Sequence, residues 1–275
     1  MQSKDFSAWL GNTQQVESII DGEHVARIAV TLNEPTPQLN DELPLLWHWA
    51  FFEERMAADS LGRDGHPQLG EFLPPTENRN RMWAGGRVEF IKPLLVGVKT
   101  QCKVTVTHIV EKQGSTGSLL FVTLTYEYSQ GGELAIHEER DLVYREPTAP
   151  KLEPGKVAKA AEWSTEVIPS SVLLFRYSAV TFNGHRIHYD YPYVTAVEGY
   201  PNLVVHGPLL ATYSLQACVK ANPEKTVKTF SYRGLRPQIL PEAFKLQGSL
   251  LDSQHAEVWA CNSSGLVQQG LVEFY

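Results

Sequence analysis

The chain has 275 residues, enough for one large domain or for two of about 130 each. With 43% apolar and 20% charged residues and no low-complexity tract, it is neither disordered nor fibrous. A net charge of -7 supplies no basic field for a polyanion, so no nucleic-acid partner is expected, although a few local cations would suffice for a small phosphate-bearing ligand. The N-terminal MQSKDFSAWLGNTQQ lacks a basic leader followed by an apolar run. No stretch approaches the roughly 18 apolar residues of a membrane span. The expectation is a cytoplasmic protein with no membrane partner. Cys102, Cys218 and Cys261 are far apart and lack metal-knuckle spacing, which predicts reduced core residues.

Along the chain, LLWHWAFFEERMAADSLG (Leu45 to Gly62) predicts a helix, because Leu46, Trp49, Ala50, Glu53 and Met56 fall three or four apart and Gly62 suits its end. Four strands follow, in GGRVEFIKPLLVG, TQCKVTVTHIVEK, SLLFVTLTYEYS and ELAIHEERDLVYRE. Period-two alternation puts Cys102, Val104, Val106 and His108 on one face, and Leu120, Val122, Leu124 and Tyr126 on another. The Pro- and Lys-rich stretch Arg145 to Trp163 reads as a linker, dividing the chain into units 1–147 and 163–275 joined by 148–162. The second unit repeats the order: a polar-studded strand region (Val172 to Asp190), a helix (Gly207 to Lys220) and four strands. A helix followed by about four antiparallel strands, twice, describes an α+β protein built from two similar units. A sheet curled round a long helix is the hot-dog arrangement, and two in tandem make a double hot dog. Periodicity alone does not separate this from other α+β layouts.

The segment TFNGHRIHYD (Thr181 to Asp190) packs an amide, two histidines, an arginine and a carboxylate into ten positions, and EGYPNLVVHGPL follows it. Together they resemble the MaoC-like, R-specific enoyl-thioester hydratases, in particular the type 2 hydroxyacyl-thioester dehydratases and the mesaconyl- and itaconyl-CoA hydratases. The first unit is matched more loosely, through RMWAGGRVEFIKPLLVG. The resemblance implies a site made of an acidic or amide residue, a histidine five positions on, and a glycine starting the central helix: Asn183, His188 and Gly207. His188 is the expected acid/base group, since an imidazole titrates near 6.5 and works in both directions at neutral pH. Asn183 stands where the wider family has aspartate, and an amide cannot accept a proton, so its expected role is to orient water. Asp190 is the alternative carboxylate. Gly207 followed by Pro208 suits a helix start whose free N–H faces a developing enolate oxygen; one such donor is worth roughly 3 kcal/mol in the transition state.

Each of these residues also has a plainer reading. A lone His188 would be a satisfied core histidine, and Gly207 alone a helix-start glycine; it is the shared spacing that favours catalysis. His206, Trp47 and Trp49 read as packing. His185, His188 and Asp190 do not form a recognised metal signature, so no metal is expected, and no cofactor beyond the CoA of the substrate. Arg186, Arg81, Trp83 and Arg233 are the candidates for binding substrate or CoA, while Arg79, Arg87 and Arg236 read mainly as surface. The long Pro/Gly-rich stretch RDGHPQLGEFLPPTENRNR suggests a lid over an acyl tunnel.

The first unit lacks the N-x-x-x-x-H pattern and is expected to be catalytically degenerate, shaping the acyl pocket. A homo-oligomer is expected. The resemblance implies reversible hydration of a short branched dicarboxylic enoyl-CoA, such as itaconyl-CoA (to citramalyl-CoA) or mesaconyl-CoA. The competing readings are a 3-hydroxyacyl dehydratase acting on acyl carrier protein, a hot-dog thioesterase and a non-catalytic acyl-CoA-binding module.

Overall fold

A computed structural model describes residues 5–53, 55–76, 79–114, 117–150 and 152–275. The first half contributes strands β1 (Thr13–Ile19), β2 (Asn80–Phe90), β3 (Lys99–Gly114), β4 (Gly117–Gln130) and β5 (Glu133–Arg145). The second contributes β6 (Trp163–Val167), β7 (Val227–Gly234), β8 (Phe244–Leu250), β9 (His255–Asn262) and β10 (Gly265–Phe274). All ten join one antiparallel sheet in the order β1-β3-β4-β5-β2-β7-β10-β9-β8-β6, so that each half mirrors the other about the β2–β7 seam. The seam runs from Gly85 opposite Arg233 to Glu89 opposite Thr229. A Cβ on Gly85 would stand 2.3 Å from the Tyr232 carbonyl oxygen, so the two half-sheets close only over a glycine.

Helices α1 (Gly22–Leu32) and α2 (Ser171–Val180) follow the first strand of each half. Both begin at a side-chain cap: Asp21 accepts from the His24 N–H at 2.8 Å, and Ser170 from that of Leu173 at 3.1 Å. Val25, Ile28, Ala29 and Leu32 form the buried face of α1 at the expected helical spacing. The His24 imidazole ties the halves together, its Nε2 lying 3.1 Å from the Ala50 carbonyl and 2.8 Å from that of Val180. A short helix α3 (Tyr191–Ala196) precedes α4 (Gly207–Ala221), which buries Leu209, Leu210, Ala211, Leu215 and Cys218 against β7 to β10.

Several expectations are corrected here. Among the described residues of Leu45 to Gly62 there is no α-helix, but two 3-10 turns, Trp47–Ala50 and Ala58–Ser60. Leu46 has a left-handed φ of 69°, and Leu46, Trp47, His48, Trp49, Phe51 and Phe52 are all buried, so the segment has no polar face to present to solvent. The helix of the first half lies upstream, in α1. The region Val172 to Asp190 opens as helix α2 and closes as the 3-10 turn Arg186–His188, because the apolar run VLLF carries no period by itself and the Ser170 cap decides it. His108 leaves the buried face of β3 because a bulge between Val106 and His108 shifts the register. Strands β3, β4, β5, β7, β8, β9 and β10 lie where the alternation placed them, and the helix at Gly207 ends at Ala221. Between Arg145 and Trp163 the described residues form no helix or strand. Among the described residues no helix is long and apolar enough to cross a membrane, and the three cysteines are buried and unpaired.

Candidate active site

The site is built on the turn that ends α2. Asn183 bends the chain twice: its N–H donates to the Ser178 carbonyl at 2.8 Å, and its Oδ1 accepts from the His185 N–H at 3.0 Å, an Asx turn. The 3-10 turn Arg186–His188 follows and carries the His188 ring into the interior. His188 Nδ1–H donates to the Val204 carbonyl at 2.7 Å, which leaves the Nε2 lone pair as the basic position. The ring stacks at 3.6 Å on His206, the residue that caps α4, so His188 is fixed to the segment leading into Gly207. The Gly207 N–H opens the helix and donates to no acceptor among the described residues. Its carbonyl accepts from Gln268 Nε2 at 3.0 Å.

Burial sets the protonation here. It draws the His188 imidazole down to about 4, against the opposing pull of the Val204 carbonyl. Burial, reinforced by neighbouring imidazoles, holds His185 and His206 well below the usual histidine range. All three are neutral at pH 7 and able to accept a proton.

The first half sends a loop into this site. Arg186 donates its N–H to the Asp64 carbonyl at 2.9 Å and its Nη1 to the Arg63 carbonyl at 3.0 Å. Gly65 packs so tightly on Gly184 that a Cβ on Gly65 would stand 2.0 Å from the Gly184 oxygen. The loop thereby delivers His66, whose ring centre is 4.4 Å from that of His185, while His185 in turn is 5.3 Å from His188. His66 Nδ1–H donates to Asp64 at 2.9 Å, forming a carboxylate–imidazole pair with Nε2 as its basic end. Burial pushes the Asp64 carboxyl up, but the hydrogen bond from His66, helped by the electrostatic pull of the two neighbouring imidazoles, outweighs it and holds the group below the carboxylate range. Burial, then the charge of Arg81, lowers the His66 imidazole. Donor atoms of Asp64, His66 and His185 fall within 4.8 Å of one another, the one cluster of this kind among the described residues.

A cavity of about 450 Å³ connects the two halves. Its first-half walls include the apolar and aromatic Trp49, Phe52, Trp83, Leu124 and Leu142 together with the guanidinium groups of Arg81 and Arg140; its second-half wall includes Ser178, Asn183, Gly184 and Pro208. The loop residues Leu61 and Gly65 to Leu73 line it in part, including His66. Such a space holds a compact acyl group; of the imidazoles His48 and His66 line it, while His185, His188 and Gly207 do not, although their chain neighbours Gly184, Tyr189 and Pro208 do.

A family model for hydroxyacyl-thioester dehydratase type 2 matches residues 46–240, a span that holds His66, Arg81, Asn183, His188 and Gly207. The chain belongs to the type 2 hydroxyacyl-thioester dehydratase family. It is 42% identical over 251 residues to the mesaconyl-C(4)-CoA hydratase of Chloroflexus aurantiacus, covering 90% of this chain and 89% of the relative. It is 28% identical over 228 residues to the mitochondrial type 2 hydroxyacyl-thioester dehydratase of Schizosaccharomyces pombe, covering 73% and 75%. The fold matches a MaoC-like dehydratase from Phytophthora capsici with a TM-score of 0.72 over 99% of both chains at 15% identity. This type 2 family member is a hydro-lyase with the double hot-dog fold that its sequence predicted.

Other predicted site residues of this hydro-lyase lie elsewhere. Asp190 caps α3, accepting from the Tyr193 N–H at 3.1 Å, and pairs with Arg186 at 2.8 Å; the Tyr193 N–H, then Arg186, lower its carboxyl. Arg186 also lies over the Tyr193 ring at 4.1 Å, so its guanidinium is committed locally. Arg233 is exposed on β7 and is not a cavity residue. Arg79 pairs with Glu111, Arg87 with Glu139 and Asp141, and Arg236 holds the Ser264 and Leu152 carbonyls. Trp83 and Arg81 line the cavity from one face of β2. Sequence reasoning missed the Asp64–His66 pair, whose one signal is the D-x-H spacing in the loop singled out for its length. It also missed the buried ion pair Glu138–Arg140, of which Arg140 lines the cavity's first-half wall.

Proposed function

We propose that the protein catalyses the reversible hydration of a CoA thioester of a short, branched, unsaturated dicarboxylic acid, of the mesaconyl-C4-CoA type. The observation that carries this reading is the 42% identity to mesaconyl-C(4)-CoA hydratase along nearly the whole of both chains. The site chemistry supports it. In this reading the thioester oxygen sits at the Gly207 N–H, and Asn183 orients a water beside the double bond. His188 Nε2 removes a proton from that water as its oxygen bonds to Cβ; the double-bond electrons move to Cα and onto the thioester oxygen as an enolate. Cα then takes the proton from the imidazolium, the enolate collapses, and His188 returns to neutral with one water added. The Asp64–His66 pair places a second basic nitrogen on the cavity wall, which eases the loss of the family's aspartate at Asn183. No cofactor is required beyond the CoA of the substrate.

The test is the loss of enoyl absorbance with mesaconyl-C4-, itaconyl- and crotonyl-CoA. Turnover of the dicarboxylic thioesters is expected, with His188→Ala lowering it about 1000-fold while the fold persists. Release of free CoA thiol without loss of the enoyl chromophore would instead identify a thioesterase. Near-normal turnover by His188→Ala would sink the mechanism.

A further inference from the structure

The cavity holds two guanidinium groups, and they differ in one respect. Arg140 is spent within the protein: its Nε bonds Glu138 at 2.5 Å, its Nη2 bonds the Tyr128 hydroxyl at 2.8 Å, and its guanidinium lies over the Tyr126 ring at 3.9 Å. Arg81 is partly buried on the same cavity, yet has no hydrogen-bond, ion-pair or ring partner among the described residues. A guanidinium withdrawn from bulk water onto an apolar wall favours an anion, and a carboxylate matches its planar fork with two parallel hydrogen bonds.

The position of Arg81 says where that anion would lie. Arg81 and Trp83 alternate with the exposed Met82 and so share the inner face of β2. The Trp83 carbonyl is 3.9 Å from where a Cβ on Gly207 would stand, which brings this part of β2 against the start of α4. Two residues along a strand is about 6.6 Å, a distance that an arginine side chain spans. The charge of Arg81 also reaches His66 and His185, lowering both imidazoles after burial has done so. Arg81 therefore faces the space between the helix start and the histidines, where the carbons of a bound enoyl group would lie.

We propose that Arg81 is the specificity residue that binds a free carboxylate carried on Cβ of the substrate, the carbon that receives the hydroxyl. The inference rests on the hydratase reading and names how that site selects a dicarboxylic thioester over a plain enoyl chain. Asp64 and His66 keep their own hydrogen bond, so the carboxylate does not compete for Arg81 with a protein anion.

Two measurements test this with the intact protein and the variants Arg81→Met and Arg81→Lys. The first is the ratio of kcat/KM for mesaconyl-C4-CoA to that for crotonyl-CoA, which lacks the carboxylate. Arg81→Met is expected to lower the ratio about 100-fold, chiefly through KM for the dicarboxylic substrate, with Arg81→Lys in between. The second is calorimetric binding of succinyl-CoA and butyryl-CoA, unreactive thioesters with and without a carboxylate on Cβ. Wild type is expected to bind succinyl-CoA more tightly, and Arg81→Met to erase the preference. An unchanged ratio in Arg81→Met, or equal binding of the two thioesters by wild type, overturns the proposal. If mesaconyl-C4-CoA is not turned over but the succinyl preference exists and depends on Arg81, the hydration reading fails and the carboxylate site stands.

Discussion

The two halves of the sheet are built to one plan and fill their concave faces differently. In the second half, the 15-residue helix α4 occupies the space against β7 to β10 and presents Gly207 at its start. In the first half the corresponding place, after α1 and before β2, holds no α-helix among the described residues but the 3-10 turns Trp47–Ala50 and Ala58–Ser60, and the space left open is part of the 450 Å³ cavity. Under the proposed hydratase reading, one half uses its volume to position reacting groups and the other to receive the acyl chain. A duplicated unit can divide labour in this way because a single helix is the element that either fills a hot-dog sheet or leaves it open.

The missing helix has a polar replacement. Glu138, wholly buried, accepts from His48 Nε2 at 3.1 Å, Trp49 Nε1 at 2.9 Å, the Tyr128 hydroxyl at 3.2 Å and Arg140 Nε at 2.5 Å. The knot fastens the turn to β4 and β5 where no helix packs. Glu138→Gln leaves Arg140 buried without its counter-ion and is expected to cost about 4 kcal/mol in urea unfolding. The double variant Glu138→Met with Arg140→Met is expected to recover most of that loss, because it removes both charges together. A loss below about 1 kcal/mol for Glu138→Gln would mean that packing alone holds the turn.

Acid separates the same two features. Because burial lowers His188 to about 4, its contribution to stability is complete above the unfolded value near 6.5 and is lost as pH falls from there toward 4. That shift corresponds to about 3 kcal/mol, and His185, His206, His66 and His48 are displaced in the same direction. For Glu138, burial raises the carboxyl but Arg140 and His48 overcome it and bring it to about 2, so its contribution is lost only as pH falls below about 4.5. Urea midpoints measured between pH 7.5 and 5 should therefore fall, and His188→Gln should flatten that slope while Glu138→Gln leaves it in place. A stability constant down to pH 4.5 would show that these histidines are not held neutral. The acid limb of kcat/KM is expected well below 6.5 for the same reason.

The parts of the molecule that were legible in the sequence share one property: their signal is local. Strands such as Phe244–Leu250 alternate in period two because one face is buried, and Gly207–Pro208 marks a helix start by backbone chemistry alone. Asn183, His188 and Gly207 stand out through two neighbouring segments that resemble a known family, and the fold links them because Asn183 turns the chain and Val204 and His206 hold the ring. What the sequence concealed depends on distant contacts. The aromatic run around Trp47 has helical spacing, yet Glu138 and Tyr128 pull it into a turn. His66 acquires its place only when the Asp64 carbonyl accepts from the Arg186 N–H, a contact between halves.

Packing substitutions probe the comparison more gently. Ala211 is fully buried on α4, so Ala211→Leu overpacks a filled space and is expected to cost about 2 kcal/mol. Leu124 lines the open space of the first half, and Leu124→Phe can extend into it. Its expected cost is under 1 kcal/mol, with a raised KM as the acyl chain loses room. Equal destabilisation with no change in KM would mean that the first-half space is not where the acyl group lies.

The smallest effects concern what the halves keep in common. Asp21 and Ser170 each cap the helix that follows a first strand, and replacing either by alanine is expected to cost about 1 kcal/mol by urea unfolding. Asp21 should cost slightly more at low salt, since its carboxylate also meets the positive end of α1. Similar losses at both caps would make the strand-and-cap unit one device used twice, confining the divergence of the halves to the segment after it, where α4 stands in one and the Trp47–Ala50 turn in the other. Should Asp21→Ala cost nothing while Ser170→Ala costs the full amount, the burial of Val25, Ile28 and Leu32 would suffice to hold α1, and the first half would have diverged before its central helix was lost.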